Sequence, residues 1–402
     1  MEKRGLEDLP ADVLSGARVL VRVDYNVPLE NGAVADDTRV RATIPTLQYL
    51  IERAARVILI SHLGRPKGKA DPALSLEPVA ALLRELVAAP VSFVADTTGA
   101  EARAAVAALV SGSILLLENV RFLSGEEKND AQVSADLAAL ADVYVNDAFG
   151  AAHRAHASTA GVAEVMRQAG KPAVAGFLME RELRFLGQAL GAPARPFVAI
   201  LGGAKISGKI DVIEALLPRV DALLVGGAMA NTFFRALGLE TGKSLVEEEK
   251  IDRARELLGR GGSKLFLPVD AIVAPEMEAG TPTQVVARDS IPADARVLDI
   301  GPASVAVFED AIGRAATILW NGPVGLFEID DFAEGTRRIA RCVAAATERG
   351  AVTIAGGGDT AAALVDAGQA GRLTHVSTGG GASLEFLEGR ILPGVAALED
   401  AP

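Results

Sequence analysis

FVAILGGAK, residues 197–205, joins a short run of apolar residues to a glycine pair and then to a lysine. A segment with helical periodicity follows it directly. The same succession of a Val- and Ile-rich run, a loop and a helix-patterned segment recurs along the chain. This alternation is typical of βαβ units around a parallel sheet, so we predict an α/β fold. Helices are predicted over residues 43–53, 76–88, 131–140, 209–217, 247–258, 331–348 and 360–367.

The apolar runs end in two chemically different ways. Runs in the first half end in charged or amide side chains: VLVRVDYN (19–26), VILISHLGR (57–65), ILLLENVR (114–121) and VYVNDAFG (143–150). Runs in the second half end in glycine: FVAILGGAK (197–205), ALLVGGA (222–228), TILWNGPVG (317–325), VTIAGGGDT (352–360) and HVSTGGGA (375–382). Ligands of open parallel sheets bind outside the carboxyl ends of the strands. We therefore expect side chains to bind a small anion in one half and backbone to bind a larger ligand in the other.

Length and composition restrict the class of protein. A chain of 402 residues predicts two domains of about 200 residues each. The net charge of −12 disfavours nucleic acid as a partner, since binding to a phosphate backbone needs a basic surface. Cys342 is the only cysteine, which excludes an intrachain disulfide and is consistent with a reducing compartment. No uncharged stretch reaches the roughly 18 residues needed to span a bilayer. We expect a cytoplasmic monomer without a membrane partner.

The segment GFLMERELRFLGQALGAPARP, residues 176–196, lies between the two kinds of apolar run. It has the pattern of an amphipathic helix followed by a break rich in Gly and Pro. We predict a first domain over 1–175, a connecting helix and hinge over 176–196, a second domain over 197–385, and a tail over 386–402. An ordinary crossover helix within one continuous sheet is the alternative reading of 176–196.

Lys205 and Lys209 are candidate ligands for a polyphosphate. The sequence GAKISGKI satisfies the phosphate-loop pattern GxxxxGK, but Ile210 stands where a Ser or Thr would hold magnesium. The motif therefore fails at its metal position. The two lysines still lie four residues apart beside a helix start, where both can reach the same side. Their alternative is an ordinary role as solvated surface lysines.

A second glycine motif, AGGGDTAAA (355–363), fits the dinucleotide pattern GxGxxG/A. A nicotinamide enzyme also needs an acidic residue about 20 positions further on, but the next strand ends in Ser377, Thr378 and Gly379. A dehydrogenase is therefore the disfavoured alternative. Asp359 is instead placed to hold magnesium on phosphates, or to cap a helix. Glu328 is placed to hydrogen-bond a ribose, or to be a surface acid.

The first half supplies candidates for anion binding near its strand ends, and they are Asp24, Asn26, Arg39, His62, Arg65, Arg121 and Arg154. Arginine suits carboxylate and phosphate because its donors form a planar fork. Each arginine taken alone is compatible with a surface ion pair. The sequence HRAH also permits a metal site at His153 and His156, but this is disfavoured because no cysteine or clear third ligand lies nearby.

Eight sequence blocks resemble the phosphoglycerate kinase family and occur in that family's order. They are RVDYNVP (22–28), SHLGRP (61–66), ENVRF (118–122), NDAFGAAHRAHAS (146–158), GGAKISGKI (202–210), WNGPVG (320–325), GGGDT (356–360) and STGGGA (377–382). The resemblance covers essentially the whole chain. It implies two Rossmann-like domains in a bilobal fold with a hinge, and a tail that packs on the first domain. It also implies reversible phosphoryl transfer from 1,3-bisphosphoglycerate to ADP, giving 3-phosphoglycerate and ATP, with Mg²⁺.

The resemblance also implies roles for individual residues. The phosphoglycerate ligands would be Asp24, Asn26, Arg39, His62, Leu63, Gly64, Arg65, Arg121 and Arg154. The nucleotide ligands would be Gly203, Lys205, Lys209, Gly227, Asn321, Pro323, Glu328, Gly356, Gly357, Gly358, Asp359 and Thr360, with Asp359 also holding the metal. The catalytic groups would be Arg39, Lys205, Lys209, Gly357 and Gly380. A relative that binds the metabolite without catalysis is a further alternative.

Overall fold

The computed structural model describes residues 2–402, apart from the side chain of Ala11. The chain forms two compact units. The N-terminal unit extends to Arg184 and also contains Ile391–Pro402, and the C-terminal unit is Phe185–Arg390. Among the described residues, no helix combines the length and the apolar character needed to cross a membrane.

The N-terminal unit is built on a six-stranded sheet. The described residues of the unit contain eight strands: β1 (Arg18–Val23), β2 (Leu29–Glu30), β3 (Ala33–Val34), β4 (Arg56–Ile60), β5 (Val91–Val94), β6 (Ile114–Leu117), β7 (Val143–Asp147) and β8 (Ala173–Ala175). The sheet has the order β5-β6-β4-β1-β7-β8 with every pair parallel, and β2 and β3 form a separate antiparallel hairpin. The four runs predicted in this half form β1, β4, β6 and β7, which confirms the parallel sheet. The edge strands β5 and β8 were not predicted.

Helices flank this sheet, and they are α1 (Ala11–Leu14), α2 (Thr38–Ala42), α3 (Ile44–Glu52), α4 (Glu77–Leu86), α5 (Ala100–Ala108), α6 (Ala131–Ala139), α7 (Val162–Gln168) and α8 (Phe177–Gly191). The helices predicted over 43–53, 76–88 and 131–140 correspond to α3, α4 and α6. The start of α6 is fixed by Asp130, whose side chain accepts from the backbone N–H groups of Gln132 and Val133.

The C-terminal unit contains two sheets. Its strands are β9 (Phe197–Leu201), β10 (Ala222–Val225), β11 (Leu265–Phe266), β12 (Asp270–Ala274), β13 (Gln284–Ala287), β14 (Arg296–Ile300), β15 (Thr317–Asn321), β16 (Val352–Gly356) and β17 (His375–Val376). The larger sheet is parallel with the order β11-β10-β9-β15-β16-β17, and the smaller is antiparallel with the order β13-β12-β14. The five glycine-ended runs form β9, β10, β15, β16 and β17, as predicted. The antiparallel sheet was not predicted.

The remaining helices are α9 (Ile210–Leu216), α10 (Met229–Ala236), α11 (Ile251–Gly261), α12 (Pro302–Arg314), α13 (Glu334–Glu348), α14 (Gly358–Asp366), α15 (Gly381–Leu387) and α16 (Pro393–Ala396). The four helices predicted in this half correspond to α9, α11, α13 and α14, with ends that differ by a few residues. The two parallel sheets share no strand, so the alternative of one continuous sheet is wrong. The chain passes from the N-terminal to the C-terminal unit within α8.

The end of the chain returns to the N-terminal unit at Ile391. The backbone N–H of Gly394 donates to the carbonyl of Ala152 at 2.8 Å, and the side-chain amide of Asn146 donates to the carbonyl of Gly394 at 3.2 Å. Ion pairs join Lys3 to Asp400 and Arg4 to Glu399. These contacts attach the last residues of the chain to its first residues, to β7 and to the segment that follows β7.

Candidate functional site

The loops after β1 and β4 leave the same edge of the N-terminal sheet. β1 and β4 are neighbouring parallel strands, and Arg22 near the end of β1 pairs with Ile60 at the end of β4. Asp24 and His62 follow these strand ends in sequence. The backbone N–H of Tyr25 donates to Oγ of Ser61 at 2.8 Å and fastens one loop to the other. The sheet therefore brings together two of the motifs recognised in the sequence.

Arg39 reaches these loops from α2. Its Nη1 donates to Oδ2 of Asp24 at 3.2 Å and to the carbonyl oxygen of Asn26 at 3.1 Å. The side-chain oxygen of Asn26 in turn accepts from the backbone N–H of Gly64 at 2.9 Å. Four candidates from three separate segments of the sequence thus form one hydrogen-bonded group.

Arg121 joins the same group through the loop after β4. Its Nη1 donates to the carbonyl of Gly64 at 2.7 Å, and its Nε lies 3.4 Å from Oε1 of Glu127. Asn119 donates to the carbonyl of Leu63 at 2.7 Å and holds that loop in place. Burial of the Arg121 guanidinium lowers its pKa, because removal from water disfavours the charged form.

His62 is buried beside Arg22, a residue that the sequence analysis did not select. Nη2 of Arg22 lies 3.0 Å from Nδ1 of His62, and Oδ1 of Asp24 lies 3.9 Å from the same nitrogen. Burial holds the pKa of His62 well below its usual range, and the charges of Arg22, Arg121 and Arg39 add to this effect. The signals for Arg22 in the sequence were its charge within a largely apolar strand and its place as the first residue of the block RVDYNVP.

Arg65 and Arg154 are exposed. Arg65 follows Gly64 directly. Nε of Arg154 donates to Nε2 of His153 at 3.1 Å, and the charge of Arg154 helps to lower the pKa of Arg121, so Arg154 belongs to the same basic region. Within residues 2–402, no group of three or more His, Cys, Asp or Glu side chains is arranged to hold a metal ion.

The glycine-ended loops of the C-terminal unit contact one another through backbone. Gly203 donates its N–H to the carbonyl of Pro323 at 2.9 Å, and Gly227 donates to the carbonyl of Val324 at 2.9 Å. A Cβ atom on Gly202 would lie 2.0 Å from the Pro323 carbonyl oxygen, so only glycine permits this approach. The loops after β9, β10 and β15 therefore form one surface made largely of backbone.

The loop after β16 is tied to the same surface by side chains. Asn321 donates from Nδ2 to the carbonyl of Gly356 at 2.8 Å. The hydroxyl of Thr360 donates to that carbonyl at 2.7 Å and accepts from the N–H of Gly322 at 2.7 Å. Gly357 has a φ of +94° and turns the chain into α14, whose first turn contains Asp359.

Lys209 contacts these loops directly. Its Nζ donates to the carbonyl of Asn321 at 3.4 Å. Burial lowers the pKa of Lys209 to about 8, while the charge of Asp359 acts in the opposite direction. Lys205 is exposed. Gly380 has a φ of +52° and precedes α15 in the loop after β17.

A cavity of about 670 Å³ opens among the glycine loops of the C-terminal unit. Five predicted residues line it: Gly203, Gly227, Pro323, Glu328 and Asp359. Its apolar lining also includes residues that the sequence analysis missed, among them Phe234, Ala271, Met277, Leu298 and Ile300. Ala271 belongs to β12, and Leu298 and Ile300 belong to β14, so the unpredicted antiparallel sheet forms part of the wall. The other nucleotide candidates lie outside this lining.

A family model described as phosphoglycerate kinase matches residues 6–390 of the sequence. The chain belongs to the phosphoglycerate kinase family. This confirms the resemblance carried by the eight sequence blocks.

Individual relatives agree with the family model. A phosphoglycerate kinase of Synechococcus elongatus is 55% identical over 405 residues, and one of Pelotomaculum thermopropionicum is 54% identical over 403 residues, each covering 100% of both sequences. A solved phosphoglycerate kinase from Coxiella burnetii has a TM-score of 0.86 at 42% identity and covers 98% of each chain. One from Pyrococcus horikoshii has a TM-score of 0.84 at 32% identity and covers 99% of this chain and 98% of its own.

As a member of the phosphoglycerate kinase family, the chain is a phosphotransferase of glycolysis. It transfers a phosphoryl group reversibly from 1,3-bisphosphoglycerate to ADP, giving 3-phosphoglycerate and ATP. The dehydrogenase and the non-catalytic relative are not favoured by these comparisons. The two-domain α/β fold predicted from the sequence is confirmed by the two parallel sheets and by the solved relatives.

Proposed function

We propose that the strand-end side chains of the N-terminal unit bind the phosphoglycerate and that the glycine loops of the C-terminal unit bind the nucleotide. The observation that carries this division is the cavity of about 670 Å³, where predicted residues from four separate parts of the sequence meet. It has backbone on one side and apolar side chains on another. A nucleotide needs both, since its phosphates accept from N–H groups and its base needs an apolar surface.

The proposed phosphoglycerate ligands are Asp24, Asn26, Arg39, His62, Leu63, Gly64, Arg65, Arg121 and Arg154. The support is the connected group around Asp24, Arg39 and Gly64, together with the guanidinium of Arg121. Guanidinium groups suit a ligand with a carboxylate and a phosphate because each fork can donate two parallel hydrogen bonds. Asp24 and the Asn26 amide supply acceptors for a hydroxyl group of the ligand.

The proposed nucleotide ligands are Gly203, Lys205, Lys209, Gly227, Asn321, Pro323, Glu328, Gly356, Gly357, Gly358, Asp359 and Thr360. α14 and α15 each begin directly after a glycine with positive φ. Free N–H groups at such helix starts favour phosphate oxygens, and the helix dipole adds to this preference. Glu328 lies at the cavity lining, where its carboxylate can accept from ribose hydroxyls.

Asp359 is the proposed protein ligand for Mg²⁺. It is exposed in the first turn of α14 and lines the cavity. One carboxylate with substrate phosphates and water is a usual set of ligands for Mg²⁺, whereas a complete protein cage is unusual. The residues therefore fit the metal, which would neutralise charge on the nucleotide phosphates.

The proposed catalytic groups are Arg39, Lys205, Lys209, Gly357 and Gly380. In the direction that forms ATP, an oxygen of ADP bonds to the acyl phosphorus and the carboxylate of 3-phosphoglycerate leaves. In reverse the carboxylate attacks, and its ordinary pKa near 4 leaves it ionised, so no general base is needed. The guanidinium, ammonium and N–H groups would instead position the reactants and stabilise charge on the transferring phosphoryl group.

We also propose the domain limits 1–175, 176–196, 197–385 and 386–402, with closure about 176–196 when both substrates are bound. Closure would protect the acyl phosphate from hydrolysis. Small-angle scattering should give a smaller radius of gyration with both substrates than with either alone, and equal values would refute closure.

We further propose that the protein is a monomer in the cytoplasm. Size-exclusion chromatography tests the oligomeric state, and cell fractionation tests the location.

The direct test of the nucleotide assignment compares two aspartates of α14. Asp359→Asn should raise the Mg²⁺ concentration needed for half-maximal 3-phosphoglycerate-dependent ATP consumption by tenfold or more. Asp366, at the far end of the same helix, is paired with Arg337, and Asp366→Asn should leave the Mg²⁺ requirement unchanged. An unchanged requirement in Asp359→Asn would remove this residue from the proposed site.

A further inference from the structure

Arg22 is almost completely buried, yet every nitrogen of its guanidinium has a partner. The side chain is 1% exposed. Nε donates to Oγ of Ser158 at 2.9 Å, Nη1 donates to the carbonyl of Val23, and Nη2 lies 3.0 Å from Nδ1 of His62. Such complete fixation holds the guanidinium in one orientation.

A buried acid compensates the charge of Arg22 through one intervening hydroxyl. Oγ of Ser158 donates to Oε1 of Glu126 at 2.6 Å, and the backbone N–H of Ser158 donates to Oε2 at 2.9 Å. Glu126 is 0% exposed, and the charges of Arg22 and Arg121 act on it. Nδ1 of His156 lies 3.8 Å from Oε1 of Glu126, but burial lowers the pKa of His156 to about 4, so this ring is neutral near pH 7. Burial raises the pKa of Glu126, while Arg22 and the hydrogen bonds from Ser158 oppose that rise and favour the carboxylate.

This arrangement determines which nitrogen of His62 carries the proton. Arginine has only donors and stays protonated in proteins, so the contact of Nη2 with Nδ1 requires a lone pair on Nδ1. Asp24 does not compete, because 3.9 Å from Nδ1 is too long for a hydrogen bond. Nε2 of His62 has no hydrogen-bond partner among residues 2–402.

We propose that Arg22 is a positioning residue, which holds His62 as the neutral Nε2–H tautomer and so presents a fixed, uncharged donor to the phosphoglycerate. The inference rests on the proposed role of His62 as a phosphoglycerate ligand. The charged groups around His62 are Arg22, Arg39, Arg121 and Asp24, and the titratable ring of His156 also faces it. Burial is the main cause of the lowered pKa of His62, and the three arginines, which are permanent cations, further oppose a second proton on the ring.

The consequence for binding is a site whose charge stays constant across the physiological pH range. An exposed histidine would gain a proton near pH 6.5 and would bind an anion more tightly below that value. Without Arg22, His62 should titrate nearer its ordinary range. In such a variant His62 would carry a charge at pH 5.5 and be neutral at pH 8, and a charged donor binds an anion more strongly than a neutral one. The ratio of the KM for 3-phosphoglycerate at pH 8 to that at pH 5.5 should therefore be about fivefold larger than in the unmodified enzyme.

The primary test measures the protonation of His62 in the unmodified enzyme. Nitrogen-15 NMR of the ligand-free enzyme, with the His62 signals assigned by their loss in His62→Gln, should show a bare Nδ1 and a protonated Nε2 from pH 5.5 to 8. A proton on Nδ1, or a ring that titrates within this range, would overturn the proposal. If His62→Gln leaves the KM for 3-phosphoglycerate unchanged, His62 is not a phosphoglycerate ligand. The NMR measurement tests the tautomer independently of that ligand role, so the two failures can be told apart.

The second test uses two arginines of β1. Arg22→Met removes the donor to Nδ1 of His62, so a proton should now occupy Nδ1 in part and the pKa of the ring should rise. The variant should also give the pH-dependent KM, with a smaller change in kcat. Arg18 lies on the same strand and pairs with Asp142, so Arg18→Met is the matched control. It also removes an arginine from β1, but it should change neither the protonation of His62 nor the pH dependence of KM. Folding of both variants is checked by circular dichroism. An unaltered His62 spectrum in folded Arg22→Met would overturn the role of Arg22.

Discussion

Nη1 of Arg39 lies 3.2 Å from Oδ2 of Asp24, and the same nitrogen donates to the Asn26 carbonyl. The carboxylate thus fixes one end of the guanidinium fork. Nε and Nη2 of Arg39 have no hydrogen-bond partner within residues 2–402. The remaining donors are already oriented and can bind substrate without a large loss of side-chain entropy.

Replacement of Arg39 should therefore affect the chemical step. Arg39→Ala should lower kcat by about 10²–10³-fold, the usual effect of removing one donor to a developing charge, with some 3-phosphoglycerate binding retained. Arg41, in the same helix and exposed, pairs with Asp37 and provides the matched control Arg41→Ala. Steady-state kinetics measure both variants. Unchanged kcat in Arg39→Ala would refute its catalytic role.

Lys209 predicts an alkaline limit to nucleotide use. Its pKa of about 8 means that the ammonium loses its proton as the pH rises through 8, and a neutral amine no longer attracts phosphate. We expect kcat/KM for ADP to fall above pH 8. In Lys209→Arg the cation persists, so the fall should move to higher pH, even if the absolute rate is lower. The two pH profiles of kcat/KM decide this, since this parameter reports the free enzyme. Identical alkaline limbs would contradict the assignment.

Gly357 should tolerate a side chain poorly at its position in the loop that we propose to bind the nucleotide. Its φ of +94° lies in a region that L residues rarely adopt, so Gly357→Ala should cost about 1–3 kcal/mol locally and displace the N–H groups at the start of α14. The KM for ADP should rise about tenfold or more. Gly350 has a nearly equal φ of +95° in the turn after α13. Gly350→Ala should therefore lower the melting temperature similarly and leave the KM for ADP unchanged. Equal KM values in the two variants would count against a role for the Gly357 backbone.

Glu180 predicts a pH-dependent contribution to stability at the start of α8. Burial raises the pKa of this carboxyl to about 7, and the charges of Asp8, Glu7 and Asp147 act in the same direction. Between pH 4.5 and 7 the folded chain thus holds a proton that the unfolded chain releases. The contribution of Glu180 to the free energy of unfolding therefore falls as the pH rises through that window.

Glu180→Gln should remove this loss. Its stability relative to the unmodified chain should increase between pH 5 and 8 by an amount on the order of 1–2 kcal/mol, reduced from the full linkage value by partial exposure. Calorimetric melting at both pH values measures the difference. Glu164, exposed in α7, gives the control Glu164→Gln, which should show no such trend. A constant difference for Glu180→Gln would contradict the prediction.

The strands that were predicted and those that were missed differ in a physical way. β1, β9 and β15 are buried along nearly their whole length, so their apolar runs stand out in the sequence. β13 is mostly exposed, and β11 and β17 contain only two residues each, which leaves little or no hydrophobic pattern. β17 was recognised only because a glycine-rich motif follows it. β12 and β14 lack such an ending, and the wall they give to the cavity was therefore not predicted.

The residues of the candidate site also differ in whether the local sequence identifies them. Asp24, Lys209 and Asp359 lie within motifs whose local spacing suggests their chemistry. Arg22 contacts His62 across 40 positions of sequence, and no local pattern shows that contact. Whether a charged residue in an apolar strand faces solvent, a ligand or a buried partner depends on which strands become neighbours.

The sequence by itself determined the two parallel sheets, the contrast between side-chain and glycine strand ends, and the family. These depend on residue periodicity and on motifs of a few residues, which act over short distances along the chain. Only the tertiary structure decided that Arg39 is held by Asp24, that an antiparallel sheet lines the cavity of the C-terminal unit, and that Arg22 contacts His62. Burial, pKa shifts and hydrogen bonds between distant residues arise from packing, because the strand order brings together groups that are remote in sequence.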